Sequence, residues 1–351
     1  MKRKLLISLL VIVFLLTIIT LISNDNKKSL QTENKSDLLK SEINTLNSLK
    51  KIDDYPLYVM HFEDGYGFEE YLKTGRDITD KSEIENNNIA CSCISVFNEH
   101  GDSYFGRNLD WYYSPVLVLF TDPPDGFASV SIVDIKYLGF NNKDDITKMS
   151  IKDKQSLLYS PYLPFDGMNE YGVCIGEMAM RSTKFSYDPE KISISCMEIM
   201  RLVLDHAKNT NDAIKLFKKY NIVLDNESPP MHYMISDPSG DSAIIEFING
   251  EIKVIKNAKP YQIATNFQIY GKTSDELKGK CIRYDTAYKT LSKSNEQFNN
   301  LDVMKLMKAI SQSSTQWSSV YNMNTGEIQI TVGRKYDNIK KLKLPFKKIR
   351  K

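Results

Sequence analysis

The stretch from Cys91 to Trp111 reads CSCISVFNEHGDSYFGRNLDW. Two short strand-like runs flank a turn at Gly101, and this pattern predicts a β-hairpin. A hairpin returns the end of its second strand to the start of its first. We therefore expect the Cys91 thiol, the Arg107 guanidinium and the Asp110 carboxylate to lie within one small volume.

That grouping suits nucleophilic catalysis by cysteine. The reactive form is the thiolate, and a neighbouring guanidinium lowers the pKa of a thiol because it favours the anion. Asp110 would orient a base or the nucleophile itself. The nearest histidine, His100, falls at the turn, so no Cys–His pair is predicted. The α-amino group of a chain that begins at Cys91 would serve as general base, since its reference pKa is about 8.

The same stretch resembles the start of the mature chain in the N-terminal-nucleophile (Ntn) cysteine hydrolases. This group includes the choloylglycine (bile salt) hydrolases, the penicillin V acylases, acid ceramidase and the N-acylethanolamine amidase. In its pattern a Gly follows the Cys by ten residues, and the Arg of Gly-Arg-Asn-x-Asp follows by sixteen. Gly101 and Arg107 keep both spacings from Cys91 and neither from Cys93. Cys91 is therefore the predicted nucleophile, with an inert buried thiol as the alternative.

Cys93 is predicted to be structural. On a strand it shares a face with Cys91, and the two Cα atoms would lie roughly 6.6 Å apart at about 3.3 Å per residue. That separation is near the upper end for a disulfide, so a redox pair is the strained alternative.

Residues 164–173 resemble a second family signature, Asp-Gly-Met-Asn-Glu-x-Gly-Leu. The resemblance to the Ntn cysteine hydrolases as a whole implies roles for four further residues. Arg107 would support the thiolate, and Asp110 would hold the α-amine or the thiol. The resemblance also implies that Asn266 donates to the developing oxyanion and that Arg283 is a second active-site arginine. The alternatives are an ordinary ion pair, a strand-ending asparagine and a helix-surface arginine.

The chain departs from the family pattern at Ala179, ten residues after the Asn of the signature. Some members have Asn or Tyr there as a further oxyanion contributor. The backbone N–H of Ala179 would still serve, but a bile-salt-specific site is not favoured. Glu177 is a charge without an assigned role. His232 and Trp317 resemble structural positions of the family and receive no catalytic role.

Short strands in hairpins, with helices in pairs, predict an α+β layered domain. The resemblance implies more, namely the four-layer αββα sandwich of Ntn hydrolases after residue 90. Helices are expected at about residues 196–208, 211–220, 281–291 and 302–310, and a strand over residues 128–140.

The N-terminal region predicts export. A basic start precedes an apolar run of 18 residues, 5–22, which is near the lower limit for crossing a bilayer. The run ends without a small-residue cleavage site, which favours an uncleaved membrane anchor over a signal peptide. Either way, the body is expected outside the cytoplasm. We assign residues 1–28 to this signal or anchor, 29–90 to a linker and pro-segment, and 91–351 to the catalytic domain.

Within the pro-segment, a short amphipathic helix is expected over residues 39–46. The aromatic run that follows, residues 55–68, is expected to pack, and we expect it to cover an apolar acyl pocket until it is removed on maturation. The polar segment at residues 83–88 predicts an accessible processing loop before the Ala90–Cys91 bond.

Composition excludes several function classes. The 351 residues include 42% hydrophobic residues, and the formal net charge of +2 is too small to indicate a nucleic-acid partner. The basic cluster over residues 340–351 is predicted to be a solvated tail. Five cysteines without a CxxC or Cys/His pattern do not predict a zinc site. The expected chemistry requires no metal and no organic cofactor.

We thus predict an exported cysteine amidase that hydrolyses linear, non-peptide C–N bonds of small N-acyl amides. Cys91 cuts the Ala90–Cys91 bond, and its freed α-amine then activates the thiol for acyl-enzyme formation. Two alternatives stay open, an acyltransferase of the same superfamily and a non-enzymatic surface protein with the same fold. The acyl group, the amine and the oligomeric state are not specified by the sequence.

Overall fold

The computed structural model describes residues 38–75, 90–98, 101–140, 145–180, 185, 187–224, 229–293 and 300–346. The apolar run at residues 5–22 and the predicted processing loop at residues 83–88 lie outside these ranges. Among the described residues, no helix combines the length and apolarity needed to span a bilayer. The described residues from Asn44 onward belong to one compact unit.

The strands of the described residues, in chain order, are β1 (Lys50–Asp53), β2 (Leu57–Phe62), β3 (Ala90–Phe97), β4 (Ser103–Asp110), β5 (Val116–Thr121), β6 (Ser129–Asp134), β7 (Asp166–Asn169), β8 (Cys174–Ala179), β9 (Ser193–Ser195), β10 (Asn221–Val223), β11 (Met231–Ser236), β12 (Ser242–Ile248), β13 (Glu251–Lys256), β14 (Tyr261–Ala264), β15 (Thr315–Asn322), β16 (Glu327–Val332) and β17 (Lys340–Lys343). The α-helices are Lys40–Asn47, Phe68–Thr74, Glu198–His206, Thr210–Lys219, Ser274–Leu277, Ile282–Leu291 and Asn300–Ala309. Short 3₁₀ helices cover Ile135–Leu138, Ile146–Lys148 and Lys152–Tyr162.

Two sheets contain nearly all of these strands. The nine-stranded sheet has the order β1-β2-β5-β6-β7-β8-β11-β12-β13, and the six-stranded sheet has the order β14-β3-β4-β15-β16-β17. Neighbours in both sheets are antiparallel except β2 and β5, which pair in parallel. The predicted hairpin is confirmed, because β3 and β4 are antiparallel neighbours inside the six-stranded sheet.

The two sheets lie face to face. Gly176 on β8 marks their contact, because a Cβ there would come 2.9 Å from the Cys93 sulfur and 3.2 Å from the Phe105 ring of the other sheet. Helices Glu198–His206 and Thr210–Lys219 cover the nine-stranded sheet, and Ile282–Leu291 with Asn300–Ala309 covers the six-stranded one. The resulting helix, sheet, sheet and helix layers are the predicted αββα sandwich.

Local sequence explains how the covering helices form. In helix Thr210–Lys219, the Asn209 side chain accepts the Asp212 backbone N–H and so caps the first turn. Ala213, Ile214 and Phe217 then form one buried face against the sheet. Burying a side chain of the size of Ile or Phe contributes about 1.5–3 kcal/mol each.

The aromatic segment before Cys91 is built into the nine-stranded sheet. Four consecutive residues of β2, from Leu57 to Met60, are buried. Beyond the strand, the Tyr66 hydroxyl donates to the Asp205 carboxylate at 2.7 Å. The expectation that this segment packs is confirmed, and the segment contributes strand β2 to the nine-stranded sheet.

Two expectations were wrong in detail. The strand predicted over residues 128–140 ends at Asp134, because the Asp134 side chain accepts the Lys136 N–H and caps a 3₁₀ turn. Residues 340–343, expected in a solvated tail, form edge strand β17 beside β16. Lysines are common on edge strands because they discourage pairing with another chain.

Candidate active site

Cys91 lies at the start of β3, fully buried between neighbouring strands. The antiparallel register sets Ala90 opposite Asp110 and Cys93 opposite Arg107. From β4, the Arg107 guanidinium reaches across, and its Nη2 donates to the Cys91 sulfur at 3.7 Å. The hairpin therefore brings the predicted thiol and guanidinium together.

Arg107 is itself held by two buried carboxylates of the facing sheet. Its Nη2 donates to Glu177 Oε1 at 2.6 Å, and its Nη1 lies 3.3 Å from Asp166 Oδ2. The guanidinium also stacks over the Trp317 ring at 5.4 Å. Buried charges are tolerated only with such partners, because isolated desolvation costs several kcal/mol.

Asp166 connects this group to the second sequence signature. It is the Asp of Asp-Gly-Met-Asn, and it accepts the Trp317 indole N–H at 3.0 Å and the Ser319 hydroxyl at 2.9 Å. The signature thus supplies a fixed carboxylate behind Arg107. The sequence analysis did not predict that Asp166 pairs with Arg107. The Asp-Gly-Met-Asn signature could have indicated it.

The thiol of Cys91 is neutral in this form of the protein. Burial raises its pKa to about 12, and the negative charge of Glu177 adds to that rise. Arg107 acts in the opposite direction, as does a hydrogen bond from the Ala179 backbone. Burial and Glu177 thus disfavour the thiolate, whereas Arg107 and Ala179 favour it. The first two dominate while water is excluded from the site.

Asn266 and Arg283 surround the backbone of Cys91. The Cys91 N–H donates to Asn266 Oδ1 at 2.6 Å, and Asn266 Nδ2 donates to the Ala179 carbonyl at 2.7 Å. Arg283, in the first turn of helix Ile282–Leu291, donates from Nη2 to Asn266 Oδ1 at 2.9 Å. Its Nη1 donates to the Cys91 carbonyl and to the Ser92 hydroxyl.

Asp110 completes the group from the end of β4. Its carboxylate lies 3.4 Å from Arg283 Nη1 and accepts the Gln312 amide at 2.9 Å and the Thr315 hydroxyl. Burial raises the Asp110 pKa, and the hydrogen bonds from Gln312 and Thr315 oppose the rise. The other four predicted site residues therefore lie around Cys91. Asp110 is connected to the Cys91 backbone through Arg283.

The sequence comparison adds the family. A profile described as linear amide C–N hydrolases, choloylglycine hydrolase family, matches residues 91–311. This chain belongs to that family. The match begins at Cys91, the residue on which the described contacts converge.

Two relatives of this choloylglycine-family protein are similar over only part of their length. The bile salt hydrolase/transferase of Lactiplantibacillus plantarum is 26% identical over 184 residues, 50% of this chain and 52% of that protein. The penicillin V acylase of Pectobacterium atrosepticum is 30% identical over 111 residues, 29% of each chain. The matched part therefore spans about half or less of these relatives.

A solved structure supports the fold assignment. A mutant of the conjugated bile acid hydrolase from Clostridium perfringens superposes with a TM-score of 0.53 at 14% identity, over 72% of this chain and 92% of that one. The choloylglycine-family chain thus has the fold of the Ntn hydrolases. Two site carboxylates that the sequence did not predict, Asp166 and Glu177, come from β7 and β8 of the facing sheet.

Proposed function

We propose that this protein is an N-terminal-nucleophile cysteine amidase that hydrolyses small N-acyl amides. One observation carries the proposal: both reacting atoms of Cys91 have dedicated polar partners. The sulfur faces Arg107 Nη2 at 3.7 Å, and the backbone nitrogen faces Asn266 Oδ1 at 2.6 Å. A residue that acts both as nucleophile and as base needs one partner for its thiolate, here Arg107, and one for its α-amine, here Asn266.

Maturation is an attack of the Cys91 sulfur on the Ala90 carbonyl carbon. The C–N bond between Ala90 and Cys91 breaks as a thioester forms, and the nitrogen takes up the thiol proton. Water then hydrolyses the thioester, which releases the carboxyl end of Ala90 and restores the thiol. The product has a free α-amine on Cys91, where Asn266 Oδ1 already accepts an N–H.

In the catalytic cycle the α-amine takes the thiol proton, and Arg107 stabilises the thiolate. The sulfur attacks the substrate carbonyl carbon, and the tetrahedral intermediate expels the amine, which receives the proton. Water hydrolyses the acyl-enzyme. The candidate oxyanion donors are the Ala179 N–H and Asn266 Nδ2. Asn266 Nδ2 donates to the Ala179 carbonyl before cleavage, so this use requires it to exchange that acceptor for the substrate oxygen.

For substrates, we propose N-acyl amides with an apolar or aromatic acyl group. The relatives' names point to bile salts and penicillin V. Conjugated bile salts and penicillin V each contain a linear amide bond. Ala179 replaces the polar side chain that some members have, which disfavours conjugated bile salts. We also propose an extracytoplasmic location, anchored or released, on the basis of the basic start and apolar run at residues 5–22.

The mass of the purified, exported protein tests the proposal. A chain that begins at Cys91 and releases amine from N-acyl amides supports it. Acyl transfer to an added amine in place of hydrolysis favours the acyltransferase. An intact Ala90–Cys91 bond in protein without amidase activity overturns the proposal in favour of the non-enzymatic protein.

A further inference from the structure

A buried histidine–glutamate pair lies behind the segment that carries Asn266. His232 on β11 and Glu246 on β12 are both almost completely inaccessible to solvent. His232 Nδ1 lies 3.3 Å from Glu246 Oε1, and Nε2 lies 2.7 Å from the Thr265 carbonyl oxygen. Thr265 directly precedes Asn266, so the pair contacts the backbone that positions this side chain.

Glu246 holds the other side of the same segment. Its Oε1 accepts the Ile269 backbone N–H at 2.8 Å, and its Oε2 accepts the Tyr270 N–H at 2.9 Å. Both carboxylate oxygens thus receive backbone donors, and hydrogen bonds of this kind favour the ionised carboxylate. Together the pair makes three hydrogen bonds to residues 265–270, one before Asn266 and two after it.

The hydrogen-bond partners assign the protons of the imidazole ring. A carbonyl oxygen only accepts, so Nε2 carries a proton toward Thr265. Nδ1 faces the Glu246 carboxylate, and a bare lone pair there would repel the negative oxygen. Each ring nitrogen of His232 thus faces an oxygen acceptor, an arrangement that suits a ring with a proton on both nitrogens.

The surrounding charge agrees with this assignment. The site holds four buried carboxylates, Asp110, Asp166, Glu177 and Glu246, and the described arginines that touch them there are Arg107 and Arg283. Burial raises the Glu177 pKa, whereas Arg107 and His232 both act against that rise. A proton on each ring nitrogen of His232 would place a positive charge near two carboxylates, Glu177 on β8 and Glu246 on β12.

We infer that the His232 imidazolium and the Glu246 carboxylate are a positioning pair for Asn266, and through it for the nitrogen of Cys91. The inference rests on the proposed function. The pair fixes residues 265–270 from both ends, which keeps Asn266 Oδ1 in reach of the Cys91 nitrogen. A catalytic group displaced by about 1 Å can lose a factor of 10² in rate, so the pair controls catalysis without touching substrate.

Kinetics of three variants test the role in catalysis. We expect His232→Ala to lower kcat about 100-fold with little change in KM, because the pair orients Cys91 rather than binding substrate. His232→Gln keeps a donor in reach of the Thr265 carbonyl and is expected to recover at least about tenfold of that loss. Glu246→Gln should lower kcat in the same way. The glutamine side chain has one oxygen and one NH₂ group, so either the Ile269 or the Tyr270 N–H would face a donor and lose its acceptor.

A neighbouring tyrosine provides the matched control. Tyr233→Phe removes one buried hydrogen bond on the same strand, from the hydroxyl to the Cys196 carbonyl at 2.8 Å on the other side of the sheet. It should lower stability and leave kcat per folded molecule near the parent value. Should the His232 and Glu246 variants also keep parental kcat per folded molecule, the pair is only structural and the inference fails.

The protonation state is testable without any enzymatic activity. Nitrogen NMR of histidine-labelled Cys91→Ala protein should show both ring nitrogens of His232 protonated at neutral pH, with His232→Gln identifying the signal. Glu246→Gln should abolish that state. A neutral His232 ring in the parent overturns the inference. Because this variant has no nucleophile, the result does not depend on whether the protein is an amidase.

Discussion

Glu177 adds to the effect of burial in disfavouring the Cys91 thiolate, and removing its charge gives the sharpest test of the site. Arg107 Nη2 lies 3.7 Å from the Cys91 sulfur and 2.6 Å from Glu177 Oε1, so the sulfur and that oxygen are at most 6.3 Å apart. Two unit charges about 6 Å apart at an effective dielectric constant of about 20 interact by about 2.8 kcal/mol. Because Glu177 and a thiolate are both negative, this interaction disfavours the thiolate.

Glu177→Gln removes that repulsion and keeps an oxygen that can accept from Arg107. The Cys91 pKa should therefore fall from its value of about 12. The calculated interaction corresponds to roughly a hundredfold increase in the thiolate fraction at a fixed pH below the pKa. Arg107 also loses a competing anion, which acts in the same direction.

The assay is a pH titration of thiolate ultraviolet absorbance in the Cys93→Ala background. The difference between protein with Cys91 and protein with Cys91→Ala isolates the Cys91 signal. The rate of Ala90–Cys91 cleavage, followed by intact mass, should shift to lower pH in Glu177→Gln. An unchanged or higher Cys91 pKa would refute the argument that Glu177 competes with the thiolate for Arg107.

Four further predictions concern maturation, the oxyanion, the pro-segment and the substrate. Active protein should begin at Cys91 on N-terminal sequencing, with Cys91→Ala uncut and Cys93→Ala matured and active; activity in Cys91→Ala would contradict the mechanism. Asn266→Ala should lower kcat by about 10²–10³ if its amide is an oxyanion donor, and a loss of only a few-fold would leave it a structural role. After cleavage the two fragments should co-elute on size exclusion without denaturant and separate in it, because β2 pairs with β5; separation in native buffer would refute this. In an N-acyl amide series kcat/KM should rise with acyl length, by up to about 0.8 kcal/mol per buried CH₂, and a preference for glycine- or taurine-conjugated cholate would exclude the proposed substrate class.

The core of the site could be predicted because its determinants are local. Hairpin register follows from a turn of fixed length, and the side-chain period of two then fixes which residues share a face. Cys91, Arg107 and Asp110 are thus related by chain geometry alone. The five helices that were predicted match the structure to within about two residues for the same reason, since caps and apolar periodicity act over one or two turns. Helices Phe68–Thr74 and Ser274–Leu277 were not predicted.

Other features depend on contacts that the local pattern of apolar and polar residues does not reveal. The strand expected over residues 128–140 stops at Asp134, where a side-chain cap competes with the sheet. The composition of residues 340–343 predicts a charged tail, but these residues pair with β16 as an antiparallel edge strand. The aromatic segment before Cys91 was expected to pack, but its place beside β5 requires a partner more than fifty residues away.

The amino-acid sequence by itself determined the nucleophile candidate, the hairpin that carries it and the family of this protein. Only the tertiary structure decided what surrounds the sulfur. The stacking of one sheet on the other brings Asp166 and Glu177 to Arg107 and places His232 and Glu246 behind Asn266. These carboxylates come from separate strands of the facing sheet, and no sequence spacing encodes a contact between sheets. Since a buried charge is tolerated only beside a partner, the electrostatics of the site exist only once the two sheets have packed.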